Sequence, residues 1–75
     1  MNELNVQITS VPDRENLVAE IWLKDIMIAE VNHELKKLEV QIYCKEDILT
    51  VDYENLLKAL NEAKEKLTGL NKHTV

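Results

Sequence analysis

The hydrophobic period of this chain changes once, and the change falls near Asp52. Upstream, Leu4, Val6 and Ile8 alternate with Asn5, Gln7 and Thr9, and Leu38, Val40, Ile42 and Cys44 alternate with Glu39, Gln41 and Tyr43. A period of two belongs to a strand with one face buried. Downstream, Leu56, Leu60, Ala63 and Leu67, with Tyr53 and Leu57 alongside, recur at helical spacing and make one apolar stripe. A chain patterned this way must be sheet first and helix last, with the stripe laid on one face of the sheet.

The predicted elements follow from that pattern and from turn chemistry. A first strand spans about residues 3–11, and Val11-Pro12-Asp13-Arg14 ends it, because Pro presets φ for a turn and Asp tolerates the next position. Residues 17–23 and 26–31 read as a hairpin about the polar pair Lys24 and Asp25. A three-residue loop that includes Ile26 sets Ala19, Ile21, Leu23, Met27, Ala29 and Val31 on one face; a two-residue loop would shift the second strand by one position. The other face then carries Glu20, Trp22, Ile28 and Glu30. Residues 32–37 form the next connection, 38–44 a fourth strand, and 48–51 an optional fifth. The helix is predicted over residues 53–68: Asp52 caps it, Glu54 lies in its first turn, Lys64 and Lys66 in its last, and Gly69 suits a left-handed C-terminal cap. Leu70 is placed to fold back over the helix end, and residues 71–75 to fray. The fold class is α+β, an antiparallel meander of four to five strands with one C-terminal helix on one face, in a single domain over 1–75.

Composition narrows the function classes. At 75 residues the chain buries about 60 to 65% of the surface its unfolded form exposes, which leaves a thin core and little room for a deep cleft. Fourteen acidic and nine basic side chains give a net charge of −5. Nucleic-acid binding requires Lys and Arg clustered on one face, and here the longest basic run is Lys36-Lys37, so direct nucleic-acid binding is not expected, nor is attraction to an anionic membrane. An acidic surface suits a basic protein partner. Mimicry of DNA phosphates is a lesser alternative, since strong mimics would be more acidic than −5. With one cysteine, no apolar leader and no stretch of 18 apolar residues, the sequence points to the cytoplasm.

The residues that could carry chemistry do not assemble into a reaction centre on paper. His33, Cys44 and His73 lack metal-ligand spacing, Cys44 falls on the inward side of its strand as a packing thiol, and the single Gly and the few Ser and Thr residues sit in no phosphate loop or nucleophile motif. No catalytic residue, metal or cofactor is therefore assigned. The unusual feature is the sheet face away from the helix, where Trp22, Ile28 and Tyr43 stand among Glu20, Glu30 and Glu39: aromatic anchors rimmed by carboxylates suit a protein contact. If the hairpin register were shifted, Trp22 would instead belong to the core.

The run Val11-Pro12-Asp13-Arg14-Glu15-Asn16-Leu17-Val18-Ala19-Glu20-Ile21-Trp22, followed by a C-terminal amphipathic helix, resembles small single-domain bacterial proteins found beside mobile elements and toxin systems. That resemblance implies a protein that works by binding another, as immunity proteins and phage inhibitors of host defence do, and transfers no site residues. The leading expectation is an inhibitor or neutraliser of a basic protein target, with Trp22 and Tyr43 as anchors, Ile28 between them, and Glu20, Glu30 and Glu39 meeting Lys or Arg. The alternative is a homodimeric structural or adaptor domain that buries the same face or a strand edge.

Overall fold

A computed structural model describes residues 4–12, 15–34, 36–45 and 47–71. Strands β1 (Leu4–Thr9), β2 (Val18–Leu23), β3 (Ile26–Asn32) and β4 (Glu39–Ile42) precede one helix, α1 (Tyr53–Asn71). The strands lie in the order β1-β2-β3-β4, each antiparallel to its neighbour. The α+β meander read from the two hydrophobic periods is the fold, with four strands. The fifth does not form: residues 48–51 have no regular structure. They must carry the chain from the edge strand β4 to a helix packed on β1, β2 and β3, and so run off the sheet. Asn71, expected to fray, is the last residue of the helix; the Asp13-Arg14 turn, the packing of the Leu70 side chain and residues 72–75 lie outside the described residues.

The β2–β3 hairpin reaches the expected pairing of its far half by a different route. Leu23 pairs with Ile26, so the loop is the two residues Lys24 and Asp25 rather than three. Lys24 takes φ 55°, the left-handed region that a tight hairpin uses to match the twist of its strands. One extra residue, Ile28, then stands between the Trp22–Met27 and Ile21–Ala29 pairs. This bulge corrects the one-residue shift, so that Ala29 faces Ile21, Val31 faces Ala19 and Glu30 faces Glu20. Met27, expected on the face of Ile21 and Leu23, lies opposite Trp22. Ile28, expected on the open face, is only 4% exposed and packs with the core.

The core is built between α1 and the facing side of β1, β2 and β3. Ala19, Ile21, Ala29 and Val31 from the sheet meet Ala59, Ala63 and Leu67 from the helix, and Leu4, Val6, Ile8 and Leu60 pack around them. Alanines on both layers bring the helix backbone close to the sheet, leaving Ile21 and Leu67 as the largest fully buried apolar side chains.

Asp52 caps the helix as expected: its Oδ2 accepts the Asn55 N–H at 2.9 Å and its carbonyl accepts that of Leu56 at 3.0 Å. Glu62 and Lys66 pair at 2.8 Å. The far end differs from expectation, because α1 continues through Gly69, which has no positive φ, to Asn71. Lys64 and Lys66 therefore precede the last turn, and Gly69 is a helical residue, not a cap. At the end of the sheet away from the β2–β3 hairpin the β1–β2 and β3–β4 connections are tied together. The Glu34 carboxylate accepts the backbone N–H groups of Glu15 (3.1 Å) and Asn16 (3.0 Å), and the Glu34 N–H donates to Oδ1 of buried Asn32 at 3.4 Å.

Candidate functional site

With α1 on one side, strand alternation puts a second set of residues on the other. Its central row runs Gln7, Glu20, Glu30, Gln41 across all four strands; beside it stand Asn5, Trp22 and Met27. Glu20 and Glu30 are direct cross-strand partners, an arrangement in which like charges repel. Each accepts a hydrogen bond from a neutral donor two residues along its own strand, Glu20 from Trp22 Nε1 at 3.1 Å and Glu30 from Asn32 Nδ2 at 3.4 Å. The same contact that relieves Glu20 fixes the plane of the indole.

Four of the six residues anticipated for this surface are accessible there. Trp22, Glu20 and Glu39 are half-buried, and Tyr43, just beyond β4, is exposed and donates through Oη to Gln41 Oε1 at 2.9 Å. The other two are corrections. Ile28 is drawn into the core by the bulge, and Glu30, though on this face, is 7% exposed. Neither presents a contact surface. Cys44, expected as a buried thiol, is exposed, as are Val40 and Ile42 on the inward side of β4, which α1 does not contact. His33 is held within its connection, with Nε2 3.3 Å from the Lys36 carbonyl.

A second surface was not anticipated. The large apolar side chains exposed in the structure are Ile26, Val40, Ile42, Tyr43, Ile48, Leu49, Tyr53 and Leu57, concentrated on β4, on the segment after it and on the first turns of α1. Val40 and Ile42 pair with Val31 and Ala29 and thus share the helix-bearing side, yet they are 45% and 74% exposed, because α1 makes no contact with β4. The cause is width. Strands about 4.8 Å apart put the outer pair of a four-stranded sheet roughly 14 Å apart, and a helix about 10 Å across cannot cover them all. Ile26, Ile48 and Leu49 line a cleft of about 290 Å³ with Met27, Ile28 and Tyr43.

Among the described residues no group of three or more His, Cys, Asp or Glu could hold a metal ion, and no helix is long and apolar enough to cross a membrane. No protein-family model matches the chain, and comparison with curated proteins and with solved structures found no match.

Proposed function

We propose that this chain is a small acidic protein-binding module that acts in the cytoplasm by inhibiting or neutralising a protein target, and that it does so by contact, without catalysis. The observation that carries this reading is the Trp22 indole, held half-exposed by Glu20 on a sheet face that no helix or strand of the described residues covers, although Val18, Glu30 and Asn32 on the same face are buried. A rigid aromatic loses little conformational entropy when it docks, and a tryptophan among polar neighbours is the residue type most enriched at energetic centres of interfaces. Around it, Glu20, Glu39 and the Tyr43–Gln41 pair offer acceptors to Lys or Arg on a partner. The net charge of −5 speeds encounter with a basic surface.

The test is affinity capture from bacterial lysate by the wild type, Trp22→Ala and Glu20→Lys, followed by calorimetry with whichever protein the wild type retains. Loss of the indole is expected to weaken binding by about 2 kcal/mol or more, roughly 30-fold, and the charge reversal to slow association. Equal binding by all three proteins would place the contact elsewhere.

A further inference from the structure

We propose that β4 is a self-association edge: two copies pair their β4 strands antiparallel about a two-fold axis at Gln41, joining two four-stranded sheets into one of eight strands. This goes beyond the target-binding reading: it uses the β4 edge and the helix-bearing side, and shares Glu39, Gln41 and Tyr43 with the Trp22 face.

The hydrogen-bond phase of β4 decides which of its backbone groups are available. Every β3–β4 pair follows one unbroken register, and just past it the Tyr43 N–H donates to the Ile28 carbonyl at 2.8 Å. In an antiparallel ladder alternate residues turn their N–H and C=O toward the same neighbour. Tyr43, Gln41 and Glu39 thus address β3, and Val40 and Ile42 direct theirs outward from the sheet edge. A two-fold axis perpendicular to the sheet keeps the helix-bearing sides together, so apolar residues can oppose apolar ones only if the axis passes through a residue, not between two. Placed at Gln41, it sets Val40 opposite Ile42 of the second copy, and Ile42 opposite its Val40, in hydrogen-bonded pairs. All the outward N–H and C=O groups of both β4 strands are then satisfied. Gln41 meets Gln41 in a non-hydrogen-bonded pair, and Glu39, the one charged residue of β4, meets Tyr43 rather than another acid.

The side-chain surface matches. Asn55, Lys58, Ala59 and Glu62 lie on the flank of α1 that borders Leu4 of β1; by the 100° helical step Tyr53 and Leu57, 73% and 41% exposed, fall on the flank away from β1. The dimer would close a trough floored by two Val40–Ile42 pairs and walled by two helices. Tyr43 stands on the Trp22 face; the other seven exposed apolar side chains, at 38% to 76% exposure, present roughly 100 Å² apiece, an aromatic one offering on the order of 150–250 Å² in full and an aliphatic one somewhat less. Together they approach the about 800 Å² per partner of a standard interface. The other edge, β1, is less suited, because Leu4, Val6 and Ile8 already pack beneath α1.

The experiment is light scattering with gel filtration over a hundredfold range of protein concentration, on wild type and Ile42→Lys. Twice the 8.7 kDa chain mass is expected for wild type at high concentration, with at least tenfold weaker association for Ile42→Lys and an unchanged circular dichroism spectrum, since residue 42 is exposed. Register is read by oxidative cross-linking in a Cys44→Ser background. Gln41→Cys places two cysteines about 4.5 Å apart across the axis, within disulfide reach, whereas Glu39→Cys does not face its own copy. A monomer at every concentration, a dimer indifferent to Ile42→Lys, or preferential linking through Glu39→Cys would each overturn the proposal. Target capture by monomeric Ile42→Lys reads the Trp22 surface separately.

Discussion

Lys24 and Gly69 show how much a single backbone angle decides. Lys24 sits at φ 55° in a two-residue loop, where a side chain costs about 1 to 2 kcal/mol that glycine avoids. Lys24→Gly should leave stability unchanged or raise it by up to about 1 kcal/mol in urea unfolding, and Lys24→Val should lower it by about 1 to 2 kcal/mol because branching at Cβ crowds that angle further. Gly69 is the opposite case. It has ordinary helical φ, and a Cβ built there meets nothing within 4 Å, so Gly69→Ala should stabilise by about 1 kcal/mol. A capping glycine would show the reverse sign. Neither angle was legible from residue type: Lys-Asp carries no Asn-Gly signature, and glycine after a helical stripe is more often a stop than a passenger.

Among the elements, α1 and its seat dominate stability. Leu67 is fully buried in a core that includes four alanines, side chains too short to spread into a gap, so Leu67→Ala should cost about 2 to 5 kcal/mol, read as a drop in thermal midpoint. The helix, its Asp52 cap and the four strands were readable because each rests on local chemistry or on a period. Two features were not. The bulge at Ile28 arises from a conflict between a short loop and the need to keep Ala29 and Val31 inward, and only the pairing as a whole reveals which gives way. The exposure of Val40 and Ile42 likewise escapes alternation, which states that residues share a face and says nothing of whether the cover reaches them. Trp22, Glu20, Glu39 and Tyr43 fell on the anticipated face; Ile28 and Glu30 were lost from the accessible set by the bulge and by burial.

For the whole molecule, charge and size act together. Two copies carrying −5 each repel, so the β4 dimer should tighten as ionic strength rises, roughly severalfold between 50 and 500 mM salt measured by sedimentation, while a contact between Glu20 or Glu39 and a basic target should weaken over the same range. Thermal midpoint should climb with protein concentration in wild type and stay flat in Ile42→Lys. The order of elements has a further consequence for how the chain is made. Because every strand is followed at once by its partner, the hairpins can close from local contacts as synthesis proceeds. Yet the inner side of β1, first to emerge, is covered by Ala59, Ala63 and Leu67, among the last. Until α1 has left the ribosome, a nascent sheet exposes the apolar side that the helix covers, and chaperone capture during translation should fall away only when α1 arrives.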